Sequence, residues 1–163
     1  MSRAAAAGNA LAECYMGIAF ADGTGVPKNG LKAMDWFRAS ARDGCAAAFD
    51  YLGHGYESGL DGPRDSARAF QYYQQAAALG HGAGLWDAGV ACQEGRGTTK
   101  DPVEALKWLQ LADEAGYRAA VPRRGELEAS LDATRKEEAR RRAREFQPAK
   151  TYSVPLLIGD ERP

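Results

Sequence analysis

The chain has 163 residues, 45% of them hydrophobic and 26% charged, with a formal charge of −1. This is the length of one domain with enough apolar material to bury a core, and the near-neutral balance removes the general electrostatic pull toward nucleic acid or a membrane surface. No run of 18 apolar residues is present, so no membrane insertion is expected, and Cys14, Cys45 and Cys92 are too few and too irregularly spaced for a disulfide framework or a zinc pattern.

Thirty-two alanines and 19 glycines against 7 prolines favour short, closely packed helices joined by tight turns. The opening stretch MSRAAAAGNALAEC lacks the apolar run of a secretory signal. The expected compartment is therefore the cytoplasm, or the periplasm if a signal peptide has been removed. Within that stretch, RAAAAG at 3–8 resembles RASARDG at 38–44 and reads as the tail of a preceding second helix. It is either a half-unit cap or the continuation of a longer chain.

A first helix is expected over 9–21, ending before Gly23, where a left-handed cap suits glycine. Asn29 then reads as the N-cap of a second helix over 30–43, closed by Gly44. A step of 36 residues repeats this plan at 45–80 and again at 81–116. Gly17, Gly53, Gly89 and Gly125 align inside the first helices. Asn29, Asp65 and Asp101 align as caps, and Pro102 follows its cap at the first helical position, where proline is preferred. Ala33, Ala69 and Ala105 align with Trp36, Tyr72 and Trp108, and with Phe37, Tyr73 and Leu109, on one apolar stripe of the second helices.

Glycine inside a helix costs about 1 kcal/mol against alanine. The expected return at Gly17, Gly53 and Gly89 is close approach of the partner helix. A pair of short helices cannot bury its apolar face alone, whereas stacked neighbours can. The expected fold is thus all-α: an α-solenoid of helix–turn–helix repeats. Residues 117–146 are assigned to polar capping helices, with ELEASLDATRKEEARRRAREF forming one long closing helix. Residues 147–163, broken by Pro148 and Pro155, are expected to be a non-helical tail, strapped across the solenoid, disordered, or offered to a partner or neighbouring copy.

These residues resemble the Sel-1-like repeat, a relative of the tetratricopeptide repeat, and its bacterial members in particular. The resemblance rests on Ala12, Met16, Gly17, Phe20, Gly23, Gly25 and Val26, then Ala33, Trp36, Phe37, Ala41 and Gly44, with their counterparts in the next two units. Three positions depart from the pattern: Asp61 replaces a loop glycine, Cys92 an aromatic residue and Asp113 an alanine. The resemblance implies a right-handed superhelix that works as a non-enzymatic scaffold or adaptor. Its implied partner is another protein or peptide, with an immunity-type inhibitor of a bacterial effector as one variant. The chain would be a monomer or weak homo-oligomer. Some cysteine-rich members are associated with β-lactams, but their paired cysteines in every repeat are not reproduced here.

Catalytic groupings are sparse. His81 opens a helix and reads as an exposed turn residue. Asp50, His54 and Glu57 share one helix face at i, i+4 and i+7 and raise the alternative of a small-ligand protein or metal-dependent hydrolase. One histidine and two acids without a ligand from a second helix make a poor zinc site, so neither metal nor cofactor is expected. GTGVPKNG and GRGTTKDP join helix to helix and lack the phosphate-loop pattern. The arginine-rich segment 135–144 carries Glu137 and Glu138 and reads as a solvated, ion-paired face, not a nucleic-acid site. A third alternative makes the chain a docking module of a longer protein.

In related folds the first helices line the concave face. The positions expected there are Cys14, Ile18 and Ala21; Asp50, His54 and Glu57; and Trp86, Val90 and Gln93. Trp86 is the candidate anchor, since tryptophan in a groove is a frequent binding hot spot. Its structural alternative is a packed aromatic residue.

Overall fold

The computed structural model describes residues 3–148, with side chains from residue 9 onward. Among them it contains eight helices and no strand: α1 (Arg3–Asp22), α2 (Gly30–Arg42), α3 (Ala46–Ser58), α4 (Ser66–Ala78), α5 (Gly82–Glu94), α6 (Pro102–Glu114), α7 (Ala120–Ser130) and α8 (Ala133–Glu145). Successive helices pack as antiparallel neighbours through α6, and both α7 and α8 close against α6. The result is an all-α solenoid. The expected tail beyond Pro148 lies outside the described residues.

The repeat is written in the backbone hydrogen bonds. The amides of Asn29, Asp65 and Asp101 donate to the carbonyls of Phe20, Tyr56 and Cys92 at 2.8, 3.0 and 2.9 Å, tying each loop to its first helix. The amides of Cys45, His81 and Tyr117 donate to Ser40, Ala76 and Ala112 at 3.0, 3.0 and 2.9 Å, closing each second helix. The three expected N-caps all form: Asn29 accepts from the Lys32 amide, Asp65 from Arg68, and Asp101 from Val103 and Glu104. Gly59 and Gly95 end α3 and α5 in the left-handed region, at φ of 72° and 75°, a conformation in which a side chain would be strained.

Close approach at the internal glycines is observed, and what approaches is a ring. A Cβ added at Gly53 would land inside the Tyr73 ring, and one at Gly17 inside the Phe37 ring. At Gly89 the neighbour is the smaller Leu109, whose Cγ would lie 3.0 Å away. Gly125, next in the same series, has open space around it, so the series loses its packing role in the closing unit. Tyr72 is fully buried between Phe49 and Tyr56, at centroid distances of 6.4 and 5.5 Å. Trp108 is buried too, whereas Trp36 is only half-buried, since the position equivalent to Phe49 holds Glu13.

Two expectations at the ends are corrected. Gly8 closes no helix, because α1 runs unbroken from Arg3 to Asp22; a run of strong helix-forming alanines offsets the cost of one glycine. The closing stretch is two helices, not one. Leu131 turns the chain, and Asp132 caps α8 by accepting from the Arg135 amide. The connection there is two residues, where residues 95–101 join α5 to α6. The exposed face of α8 is laced by ion pairs, including Arg141 with Glu138 and Glu145, each at 2.8 Å.

The departures from the repeat pattern have physical reasons. Arg38 is 4% exposed and donates to Asp61 at 3.2 Å, to Asp35 at 3.0 Å and to the Tyr56 hydroxyl at 3.1 Å. Asp61 therefore supplies charge to a buried guanidinium at a place where glycine would supply none. Asp113 accepts from Arg124 at 2.8 Å and so joins α6 to α7. Cys92 is a small buried group against the core.

Gly53→Leu is expected to destabilise the protein by about 1–3 kcal/mol or more through overpacking against Tyr73. Gly125→Leu should leave stability nearly unchanged. Thermal melts followed by circular dichroism compare the two.

Candidate functional site

First helices α3 and α5 lie side by side, and their facing turns bring three chemically active side chains together. Asp50 and His54 are one turn apart on α3; Asp87 comes from α5. His54 Nε2 stands 3.1 Å from Asp87 Oδ2 and 3.7 Å from Asp50 Oδ2. On the other side of the ring, His54 Nδ1 meets the Tyr73 hydroxyl at 3.2 Å. Tyr73 reaches this position because its ring sits over Gly53. The glycine that sets the helix packing thereby also seats the hydroxyl beside the imidazole.

The electrostatics follow from burial and from two neighbouring acids. Burial, then the charge of Asp87, pushes the Asp50 carboxyl up to about 7. The hydrogen bond to Asp87 raises His54 above its ordinary value, aided by the charges of Asp87, Asp50 and Glu57 and opposed by burial. Both groups hold their protons more tightly folded than unfolded. The Asp50 contribution to stability is complete below the ordinary carboxylate value of about 4 and is lost as pH climbs through about 7; that of His54 is complete below the ordinary imidazole value of about 6.5 and is lost at higher pH. Burial first, then the nearby acids, also raises the Tyr73 phenol.

The expected Asp50–His54–Glu57 face is therefore only partly assembled. Glu57 turns away to accept from Arg96 at 3.3 Å and from Ser66 at 3.4 Å, and Asp87 takes the third place. Sequence reading missed Asp87 because it stands one residue after Trp86, and its contact depends on the lateral register of two helices that no local pattern encodes. Val90 and Cys14, expected on the partner-facing surface, are 5% and 3% exposed. For Val90 the reason is that α4 and α6 both pack against α5. His81 is half-buried, not exposed, and burial lowers its pKa.

Trp86 is half-buried, with Tyr117 at 5.9 Å and the Arg123 guanidinium at 5.7 Å from its ring. Gln93 accepts from that same arginine at 2.5 Å. Ile18 and Ala21 line a mostly apolar groove of about 280 Å³ between α1 and α3. Phe37, Tyr51 and Leu60 add to its apolar lining, which Asp22, Lys28, His54 and Ser58 interrupt with polar groups. The Phe37 and Tyr51 rings are stacked at 5.0 Å, which gives the groove a firm floor.

The architecture is that of a helical-repeat protein, and comparison with known proteins agrees. The family model for the Sel1 repeat matches residues 10–45, 50–81 and 83–117. The chain belongs to the Sel1 repeat family, whose members commonly act as protein–protein interaction scaffolds and are generally non-enzymatic. It is similar to the crystal structure of a Sel1 repeat protein from Oxalobacter formigenes, at 33% identity and a TM-score of 0.67, covering 72% of this chain and 48% of that one. A protective antigen of uropathogenic Escherichia coli with an SLR fold superposes with a TM-score of 0.68 at 23% identity, over 85% of this chain and 38% of that one. Cysteine-rich protein B of Helicobacter pylori does so at 0.61 and 23%, over 70% and 84% respectively. The chain thus spans about half or less of the first two relatives. No curated protein matches it.

Replacing Asp87 by Asn removes the first cause of the raised His54 pKa. In chelator-treated protein, the His54 ring protons are expected to titrate at lower pH in Asp87→Asn than in the parent, as read by NMR.

Proposed function

We propose that the chain is a non-enzymatic scaffold that binds an extended segment of a partner protein along the face built by its first helices. The observation that carries this reading is the groove between α1 and α3. Its lining is mostly apolar and includes the stacked Phe37–Tyr51 pair, while Asp22, Lys28, His54 and Ser58 add polar groups to the same lining. Apolar side chains of a partner would gain burial there, and little ordering of this chain would be needed. Trp86 and its neighbour Tyr117 extend aromatic surface along the same series of helices. The immunity-type variant makes the partner a toxic effector, which capture from the native host would reveal by mass spectrometry.

Ile18→Lys and Trp86→Ala test the reading against a partner captured in this way. Both variants are expected to keep their helicity and to weaken binding by about 2 kcal/mol or more, roughly 30-fold. If Trp86→Ala melts early and binds normally, Trp86 is a packing residue for Tyr117 and Arg123. If Ile18→Lys also binds normally, the groove is not the docking surface.

A further inference from the structure

We propose that Asp50, His54 and Asp87 form a three-ligand site for a divalent transition metal of the zinc class. The first argument is an unsatisfied group. Asp50 is 6% exposed, and its Oδ1 has no hydrogen-bond partner among the described residues. Its Oδ2 stands 3.7 Å from His54 Nε2, beyond hydrogen-bond reach. Buried carboxylates are normally hydrogen-bonded or matched by a cation. Without an ion, a proton shared with Asp87 offsets part of that cost; a divalent cation would take the proton's place between the two carboxylates.

The second argument is geometric. One ligand atom from each of the three residues can be chosen so that all lie within 4.8 Å of one another. The separations of 3.1 and 3.7 Å from His54 Nε2 bracket the edge of about 3.3 Å expected for a tetrahedron with bonds of about 2.0–2.1 Å. His54 is 52% exposed, which gives an ion a way in and leaves a fourth position toward solvent.

The third argument is the outer contact. A histidine that binds metal through one nitrogen usually donates from the other to a fixed acceptor. Here the Tyr73 hydroxyl stands 3.2 Å from Nδ1, able to accept from Nδ1–H while Nε2 faces the carboxylates. One neutral imidazole and two carboxylates, with a total charge of −2, suit Zn²⁺, Co²⁺, Ni²⁺ or Mn²⁺. The set lacks the thiolates that select Cu(I) and the six to eight oxygens that Ca²⁺ takes.

The test uses the full chain, stripped with chelator and titrated with Zn²⁺ by calorimetry and with Co²⁺ by visible absorption. One equivalent of Zn²⁺ should bind at micromolar concentration or tighter, Co²⁺ should give the bands of a low-coordinate site, and Zn²⁺ should raise the melting temperature. His54→Ala removes a half-exposed side chain from a helix and should stay folded; with Asp87→Asn, it should weaken Zn²⁺ binding at least 100-fold. Tyr73→Phe should weaken it about 10-fold. A variant lacking Cys14, Cys45 and Cys92, each replaced by Ser, should bind as the parent does. No stoichiometric uptake overturns the site. Uptake that survives His54→Ala and Asp87→Asn, or that disappears with the cysteines while the variant remains folded, overturns it as well.

Discussion

Each hairpin depends on an aromatic or aliphatic side chain of the second helix seated against bare glycine backbone of the first. Phe37 over Gly17, Tyr73 over Gly53 and Leu109 over Gly89 are the same contact made three times. The three glycines cost about 1 kcal/mol each in helix propensity. Burial of each seated side chain contributes about 1.5–3 kcal/mol, so the exchange favours the packed hairpin. The same contact fixes what the outer surface can carry. Phe37 reaches through to stack on Tyr51, and Tyr73 reaches through to His54. The groove and the histidine cluster are therefore the far ends of side chains whose near ends hold the fold together.

What the sequence made legible is what short-range rules govern. Asn29, Asp65 and Asp101 are caps because a short polar side chain before a helix accepts its free amides. Gly59 and Gly95 mark ends because a left-handed residue belongs there. The misreadings have equally specific causes. The repeat places a helix end at Gly8, whereas the alanines before it favour continuation and α1 runs on. The break at Leu131–Asp132 was hidden because the closing unit drops the glycine loop that marks the other units; only the cap residue survives. Asp87 escaped because its partners are on another hairpin, and periodicity fixes neither how far two first helices slide past each other nor which turns meet.

The substitutions that break the repeat pattern are also informative about packing. Asp61 stands in a loop where the pattern has glycine, and Arg38 is buried on the helix below it. Neither residue is intelligible alone, since a buried guanidinium without a carboxylate would be costly. Asp113 and Arg124 make a corresponding link between the last full repeat and the closing helices. A repeat protein buries its core with residues common to all units. It distinguishes one interface from the next with charges that occur once.

That distinction bears on where function can reside. Cys14, Asp50 and Trp86 occupy one position in three successive units, and none is an open surface residue: two are buried and one half-buried. The next position holds Tyr15, Tyr51 and Asp87, of which Tyr15 is 63% exposed and the others half-buried. The four-residue step from the first series reaches Ile18, His54 and Val90, where exposure falls from His54 to the buried Val90. A regular solenoid would give equivalent positions equal exposure. In the second and third series exposure is highest at α1 or α3 and falls at α5, where neighbouring helices cover the turn, whereas in the first series Trp86 of α5 is more open than Cys14 or Asp50. The apolar groove lies in the first two units, the His54 cluster adjoins it and draws Asp87 from the third, and Trp86 is the half-open residue of that third unit. A partner segment or an ion meets this chain at residues that differ between units, on a backbone held constant by residues that do not.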